Sequence, residues 1–235
     1  MDTLGSFPLL AGMNEEQQKR YSTRCIWRTY EAGETIIDHH ETSTELRFIA
    51  SGTVRVVVRM VEGREVIFND HSAGDFFGEL AAIDGGPRSA SVSALVRSRV
   101  CIMPQNVFKE IVEDVPEVGW RTMNHLVGHV RRLSDRLSEY SFLKAKHRLY
   151  AELLRLSKER VQGMGNGGDD DTMQRIISPA PLQSDIADRI SSRREIVSRE
   201  MKELERGGII ERSRGGLIIT KPATLSNMAA AGWLS

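Results

Sequence analysis

Glycines, a carboxylate, an arginine and a serine lie close together in the stretch Asp75-Phe76-Phe77-Gly78-Glu79-Leu80-Ala81-Ala82-Ile83-Asp84-Gly85-Gly86-Pro87-Arg88-Ser89-Ala90. Gly78 lets the backbone approach a ligand, and residues 79–83 can form a short helix whose first N–H groups point at an anion. Arg88 offers a planar fork of donors to two phosphate oxygens, and Ser89 adds a hydroxyl. Because a carboxylate repels phosphate, Glu79 fits only if it accepts a hydrogen bond from a sugar hydroxyl. The residues indicate a sugar-phosphate pocket; an ordinary turn with a surface arginine is the alternative.

Short β-rich runs separated by glycines surround this stretch. The runs are Thr35–Ile37, Leu46–Ile49, Thr53–Val58, Glu65–Phe68, Ser91–Ala94 and Arg99–Ile102, and the intervening glycines include Gly33, Gly52, Gly63 and Gly74. Runs of this length and spacing predict an antiparallel barrel or roll. In the third run, Val54, Val56 and Val58 are predicted to share one face of the strand, because side chains alternate between faces.

Helical periodicity begins at Pro116, after an earlier short helical pattern over residues 9–29 in which Asn14 is a possible start. Apolar residues then recur at spacings of three and four: Trp120, Met123, Leu126, Val130, Leu133, Leu137 and Tyr140. A stripe of this length predicts an α-helical dimer seam, with a helix packed on its own domain as the alternative.

A second helix is predicted over residues 142–160, followed by a Gly-rich and acidic segment at residues 163–171. Nothing in this segment can bury a core, so a solvated loop is expected. Its three adjacent aspartates lack flanking ligands at a known spacing, which argues against a metal site. A contact for RNA polymerase is a further interpretation of the loop.

Two helices joined by a tight turn are predicted over residues 182–190 and 193–206, with Ser191-Ser192 between them. Six apolar residues would lock these helices together: Ile186, Ile190, Ile196, Val197, Met201 and Leu204. Arg194, Glu195 and Arg199 then point outward. Arginine matches the O6 and N7 acceptors of guanine, and glutamate accepts from cytosine N4, so this helix can read a DNA major groove.

The residues that follow predict a β-hairpin, because residues 209–212 and 217–219 flank the turn residues 213–216.

Charges on an amphipathic helix are often merely solvated. However, the segment from residue 189 to residue 214 contains eight Lys and Arg but only five Asp and Glu, in a chain whose formal net charge is zero. Basic charge is therefore concentrated where DNA would lie, and the hairpin would be the wing of a winged helix-turn-helix.

Length and composition set wider bounds. A chain of 235 residues with 40% hydrophobic residues can hold two modest domains. Cys25 and Cys101 are far apart in sequence and in apolar settings, which favours reduced thiols in a cytoplasmic protein. The sequence shows neither an apolar run near the ~20 residues of a membrane span nor a signal-peptide pattern, so no membrane partner is expected. It also shows no nucleophile–base pair, metal-ligand cluster or Walker-type loop, so no enzyme activity is expected.

Gly-Glu-Leu-Ala at residues 78–81 and Pro-Arg-Ser-Ala at residues 87–90 resemble the phosphate-binding cassette of cyclic nucleotide-binding domains. The resemblance implies that Arg88 and Ser89 bind the cyclic phosphate and that Glu79 binds the ribose 2′-hydroxyl. The full implied set is Phe77, Gly78, Glu79, Leu80, Arg88, Ser89 and Ala90.

The resemblance extends to the helix after Pro116, which in the family pairs two subunits and closes the nucleotide pocket. Leu133 and Ser134 fall where cAMP-selective members carry a Thr-Ser pair that contacts the purine. Leucine cannot donate the hydrogen bond of the threonine, whereas Ser134 is retained. We therefore expect binding of cAMP and cGMP with relaxed selectivity.

Residues 192–200, Ser-Arg-Arg-Glu-Ile-Val-Ser-Arg-Glu, are similar to the recognition helix of the cAMP receptor protein/FNR (CRP/FNR) family. The resemblance implies a DNA-binding set of Arg193, Arg194, Glu195, Ser198 and Arg199. Two departures from the family pattern are Arg193 in place of a serine and Leu182 where a threonine cap is common. The first adds a phosphate contact and the second loosens the start of its helix.

The sequence thus predicts an α+β chain of three parts: a cyclic nucleotide-binding antiparallel β-roll at residues 1–115, a dimerisation helix at 116–143 and a winged helix-turn-helix domain at 144–235. The predicted function is a cytoplasmic, homodimeric transcription regulator that binds promoter DNA at a pseudo-palindromic site and contacts RNA polymerase. Its ligand is cAMP, cGMP or both, and no prosthetic group is expected. The alternatives are a CRP/FNR-type sensor of another small ligand and a cyclic nucleotide regulatory protein without DNA binding.

Overall fold

A computed structural model describes residues 3–59, 65–160 and 174–234. The chain divides into two compact units, Met1–Val130 and Arg131–Ser235. The predicted loop at residues 163–171 lies outside the described residues. Among the helices that are described, none combines the length and apolarity needed to cross a membrane.

The first unit begins with two 3₁₀ helices, Leu4–Ser6 and Pro8–Leu10, and a short α-helix, and it continues as a set of strands. Helix α1 (Glu15–Ser22) starts at Asn14, whose side chain accepts a hydrogen bond from the backbone N–H of Gln17, so the predicted helix start is confirmed. The following elements are β1 (Ile26–Tyr30), β2 (Thr35–Ile37), β3 (Leu46–Ser51), β4 (Thr53–Arg59), β5 (Glu65–Ser72), β6 (Phe76–Phe77), α2 (Glu79–Asp84), β7 (Ser91–Ala94) and β8 (Ser98–Met103). The extension of the helical pattern to residue 29 was wrong, because residues 26–30 pair as an edge strand with β8.

These strands form two four-stranded antiparallel sheets with the orders β1-β8-β3-β6 and β2-β7-β4-β5. Except for β4 and β5, strands that pair within a sheet are separated in sequence, as expected when one chain is rolled into two layers. Apolar side chains from both sheets form the interior, including Ile49 and Val100 of the first sheet and Val54 and Val92 of the second. The predicted antiparallel roll is confirmed.

The β4–β5 ladder contains a β-bulge. Val56 pairs with Asn69 and Val57 pairs with Ile67, so the additional residue, Phe68, lies in β5. Val54 is buried and Val56 is half-buried against the same apolar cluster, in agreement with the face predicted for them. Val58 is half-buried, and Val57 is buried as well.

The two cysteines are neighbours in the fold although they are distant in sequence. Trp27 pairs with Cys101 in the β1–β8 ladder, which brings Cys25 close to the same strand. A hydrogen bond with Cys101 lowers the pKa of the Cys25 thiol. Neither cysteine forms a disulfide bond within the described residues.

Helices α3 (Gln105–Asp114) and α4 (Pro116–Phe142) follow the roll. The first turns of α4 present Val118 and Thr122 to the interior of the first unit, where Val118 joins the core. The long helix predicted from Pro116 is confirmed.

The second unit contains the remaining elements. They are α5 (Ala145–Leu156), β9 (Lys158–Glu159), β10 (Arg175–Ile177), α6 (Gln183–Arg189), α7 (Arg194–Arg206), β11 (Ile210–Ser213), β12 (Gly216–Ile219) and α8 (Pro222–Ala230). Helix α5 is shorter than predicted because Lys144 and Ser157 are both extended and therefore delimit it. Strands β11, β12, β10 and β9 form one antiparallel sheet in that order.

Candidate ligand-binding and DNA-binding sites

The candidate ligand cassette begins at a backbone position that requires glycine. Gly78 has φ of 82° and links β6 to α2. A Cβ atom at this position would lie 2.5 Å from Nη1 of Arg88, so both the backbone conformation and the space exclude a side chain. Strand β6 and Gly78 therefore set the place at which the arginine approaches the backbone.

Arg88 is only 3% exposed and is held by groups of the chain itself. Its Nη1 donates to the carbonyl of Gly78 at 3.0 Å, and its Nε donates to Oγ of Ser43 at 2.9 Å. Its Nη2 donates to the carbonyl of Glu45 at 2.9 Å and to the Glu45 carboxylate at 3.3 Å. The guanidinium is thus preorganised, but a carboxylate of the same chain already contacts it.

A second arginine, which sequence reasoning missed, lies beside this carboxylate. Arg47 is 6% exposed, and its Nη2 is 3.7 Å from the Glu45 carboxylate. Within the described residues, its buried Nε and Nη1 have no hydrogen-bond partner. The β3–β6 ladder pairs Arg47 with Phe77, the residue before Gly78. No local sequence pattern marks Arg47 as a ligand-binding residue. Only the pairing of β3 with β6 brings it to the cassette.

The two guanidinium groups repel each other. Burial and then the positive charge of Arg47 lower the pKa of Arg88 below its ordinary value. Buried cations with unused donors are stabilised by an anion. The charge arrangement around Glu45 therefore favours a bound anion.

Glu79 begins α2 and is 7% exposed. Burial raises the pKa of its carboxyl, and the nearby positive charges of His71 and Arg88 partly oppose this shift. The remaining predicted ligand residues divide into two groups: Phe77 and Ala90 are buried, whereas Leu80 and Ser89 are exposed. The structure brings Phe77, Gly78, Glu79 and Arg88 together, and the Ser89 hydroxyl is open to solvent.

Leu133 and Ser134 lie on the part of α4 that belongs to the second unit, and both are exposed. Leu133 is part of an exposed apolar set on α4 in which every residue is at least 36% exposed: Trp120, Met123, Val127, Val130, Leu133, Leu137 and Tyr140. The predicted stripe included Leu126, whereas the exposed set contains Val127 at this turn of the helix. Leu126 is half-buried because it follows Thr122 by one helical turn on the inward face.

The predicted helix-turn-helix is present in the second unit. Helices α6 and α7 are joined by residues 190–193, and Ser191 adopts φ of 46° in the turn. Ile186, Val197, Met201 and Leu204 are buried between and behind the helices. Five of the six apolar residues predicted to lock the helices together belong to this cluster, whereas Ile196 is half-buried.

The predicted DNA-binding side chains lie together on α7 and at its start. Arg193, Arg194, Glu195 and Arg199 are exposed, and Ser198 is half-buried. Arg199 approaches the Glu200 carboxylate at 3.6 Å but keeps 70% of its side chain exposed. The β11–β12 hairpin that follows pairs Ser213 with Gly216 across its turn, as expected for the wing. Leu182 precedes α6 without a side-chain cap, in agreement with its departure from the family pattern.

A buried carboxylate, also missed from the sequence, holds α6 in place. Glu152 of α5 is 1% exposed and is contacted by three arginines. Arg155 donates to it directly, Nη2 of Arg136 lies at 3.4 Å, and Nη1 of Arg189 lies at 3.8 Å. Tyr140 donates to the carbonyl of Arg189 at 2.9 Å. The end of α4 that lies in the second unit is thus connected to the helix-turn-helix by specific polar contacts.

Two known domain families match separate parts of the chain. Residues 27–115 match the family model described as the cyclic nucleotide-binding domain. Residues 147–228 match the Crp-like helix-turn-helix domain. The chain belongs to the CRP/FNR family of transcription regulators. It is a CRP-like DNA-binding regulator with a cyclic nucleotide-binding domain. The matching proteins are transcription regulators, which confirms the prediction that the chain is not an enzyme.

Individual CRP/FNR relatives are distant in sequence but cover most of the chain. A CRP-like cAMP-activated global transcriptional regulator of Mycobacterium tuberculosis (strain ATCC 25618 / H37Rv) is 25% identical over 197 residues, 84% of this chain and 85% of that protein. The cAMP-activated global transcriptional regulator CRP of Salmonella typhimurium is 27% identical over 191 residues, 81% and 87% of the two chains. A CooA mutant structure from Carboxydothermus hydrogenoformans has a TM-score of 0.76 at 16% identity and 95% coverage of each chain. The structural likeness supports the fold alone.

Proposed function

We propose that the protein is a homodimeric regulator that binds cAMP and, with relaxed selectivity, cGMP, and that the ligand controls binding to a pseudo-palindromic DNA site. One observation supports this most directly. Two buried guanidinium groups, Arg88 and Arg47, approach a single carboxylate beside Gly78, and Arg47 has donors that no described group accepts. Guanidinium groups form strong charge-assisted hydrogen bonds with phosphate oxygens, so this arrangement favours a phosphodiester anion.

In the proposed complex, the cyclic phosphate takes the place of the Glu45 carboxylate against Arg88 and Arg47. Ser89 donates to the same phosphate, and the Gly78–Leu80 backbone lies along the phosphate and ribose. Glu79 accepts a hydrogen bond from the ribose 2′-hydroxyl. The cyclic phosphate thereby replaces the Glu45 carboxylate at the two arginines. A ligand that binds one arrangement of the protein more tightly than another shifts the population toward that arrangement.

Purine selectivity is proposed to be weak. Leu133 provides an apolar contact and no hydrogen bond, so the hydroxyl of Ser134 is the remaining donor or acceptor toward the base. A single hydroxyl can donate and accept, and it therefore discriminates adenine from guanine poorly.

The exposed apolar set on α4 supports the homodimer. Spacings of three and four place these side chains along one side of a helix, and two copies of such a helix bury them against each other. Two-fold symmetry then presents two α7 helices to DNA at about 34 Å, one helical turn. The ligand needs only a higher affinity for the DNA-competent state, since equal affinity for both states shifts nothing.

Two titrations test the proposal. Calorimetry with cAMP and cGMP measures ligand affinity, and fluorescence anisotropy on a DNA site selected from a random pool measures the response to ligand. Arg88→Ala is expected to remove ligand binding and the ligand response, while size-exclusion chromatography still shows a dimer. Arg97→Ala is the matched control, because Arg97 is an exposed arginine of the same unit that pairs with Glu31.

Three results would contradict the proposal. Unchanged activation in Arg88→Ala would exclude the cassette from the mechanism, and a hundredfold preference for cAMP would exclude relaxed selectivity. Ligand binding without any DNA retention would favour a cyclic nucleotide regulatory protein without DNA binding. Contact with RNA polymerase and a cytoplasmic location stay predictions.

A further inference from the structure

Glu79, His125 and His129 lie together inside the first unit. Each offers one ligand atom, and all of these atoms lie within 4.8 Å of one another. His125 and His129 are one turn apart on α4, so they face the same way, and Glu79 is the first residue of α2. Glu79 is buried and the two histidines are half-buried. The group therefore combines a preorganised interior with access from solvent.

Neighbouring side chains constrain the two imidazole rings. The ring centroids of Phe76 and His125 are 4.4 Å apart, and so are those of His125 and His129. The ring of His125 therefore contacts the rings of both Phe76 and His129.

We propose that Glu79, His125 and His129 form a binding site for one divalent cation of the Zn²⁺ class. Two imidazole nitrogens and one carboxylate oxygen form the donor set of three-ligand zinc sites, with bonds of about 2.0–2.2 Å. Rotation of the side chains can draw the ligand atoms inward by the short distance that such bonds require. The mixed nitrogen and oxygen set favours Zn²⁺, Co²⁺ and Ni²⁺ over Ca²⁺ and Mg²⁺, which prefer oxygen ligands.

The cation site shares Glu79 with the nucleotide site described above. Under the proposed function, Glu79 accepts a hydrogen bond from ribose, and a cation that coordinates this carboxylate removes that acceptor. The cation and the cyclic nucleotide then compete. This competition rests on the proposed function, whereas binding of the cation itself does not.

The direct test uses full-length, untagged protein from which metal has been removed with a chelator. Titration with Co²⁺ is expected to give visible absorption bands that saturate at one equivalent per chain and disappear when Zn²⁺ is added. Glu79→Gln, His125→Gln and His129→Gln are each expected to weaken Zn²⁺ binding by about 100-fold or more in competition with a chromophoric chelator. The matched control is the double variant His39→Gln/His40→Gln, which removes a neighbouring pair of histidines outside the cluster and should keep the affinity.

Outcomes separate the cation site from the nucleotide site. Absence of Co²⁺ bands in the wild-type protein overturns the proposal without requiring any variant to fold. Full Zn²⁺ affinity in the three cluster variants, or its loss in the His39/His40 variant, also overturns it. In a final experiment, cAMP is titrated with and without Zn²⁺. We expect Zn²⁺ to weaken cAMP binding in the wild type but not in His129→Gln; equal weakening in both proteins overturns the competition. If cAMP does not bind either protein, the proposed function fails while the Co²⁺ result still decides the cation site.

Discussion

The side chain of Glu45 reaches back to the cassette, where its Oε2 lies 3.3 Å from Nη2 of Arg88. The same nitrogen donates to the Glu45 backbone carbonyl at 2.9 Å, so one residue contacts Arg88 through both its backbone and its side chain. The Glu45 side chain is 36% exposed, whereas Arg88 is almost fully buried. The carboxylate can therefore swing into solvent while the guanidinium stays in place.

Glu45→Gln is expected to tighten cyclic nucleotide binding, because the phosphate no longer has to displace a charged competitor. An ion pair with one exposed partner contributes up to about 1 kcal/mol, which corresponds to roughly a fivefold change in affinity. Calorimetric titration with cAMP measures it. Glu31→Gln, which alters an exposed ion pair with Arg97, should leave the affinity unchanged. Weaker binding by Glu45→Gln would show that the carboxylate instead holds Arg88 in its binding position.

Arg194→Ala is expected to lose specificity at one base position. Arg194 begins α7 and is exposed, as a base-reading side chain must be before DNA binds. A lost arginine–guanine contact costs about 1–3 kcal/mol at the base that it reads. Anisotropy titrations against a selected site and its single-base variants would locate this position. Arg206→Ala, at the opposite end of α7, is the control. A uniform loss across all sites would identify Arg194 as a phosphate contact.

Glu152→Gln is expected to destabilise the protein, because it removes the buried negative charge that Arg136, Arg155 and Arg189 approach. Removal of one partner from a buried ion pair costs about 3–5 kcal/mol. Urea unfolding of the full chain measures the change. Glu203→Gln, which alters the exposed pair with Arg206, should cost at most about 1 kcal/mol. Equal effects of the two substitutions would contradict a structural role for Glu152.

Tyr150 is expected to make stability depend on alkaline pH. Burial, assisted by the negative charge of Glu200, raises the pKa of Tyr150 to about 12, and its hydroxyl donates to Glu200 at 3.2 Å. Tyrosine in the unfolded chain titrates near pH 10. The folded state therefore keeps a proton that the unfolded state loses, and the stabilisation is complete below about pH 10 and lost as the pH rises toward 12.

Tyr150→Phe lacks this titration. We expect the variant to be less stable than the wild type at pH 8 by about 1 kcal/mol, the contribution of one hydrogen bond. The difference should shrink as the pH is raised from 10 toward 12. Urea unfolding at several pH values compares the two proteins. A difference that stays constant over this range would contradict the raised pKa.

Several features could be predicted from the sequence because their signals are local. The start of α1 at Asn14 follows from a capping residue, and the turn between α6 and α7 follows from the apolar spacing on either side. The α4 stripe follows from helical periodicity, although the structure moves one position from Leu126 to Val127. An error arose where a local pattern was overridden by pairing, as at residues 26–30, which form strand β1 beside β8 instead of continuing a helix.

Local residue patterns were enough to predict the order of the parts, the roll, the long helix, the helix-turn-helix and the CRP/FNR resemblance of the cassette and recognition helix. These features depend on residues close together in the chain. The meeting of distant groups became visible only in the folded chain: Arg47 and Glu45 at Arg88, the histidines of α4 at Glu79, and Glu152 at Arg189. Strand pairing and helix packing bring these groups together across long stretches of chain, and no local periodicity predicts such contacts.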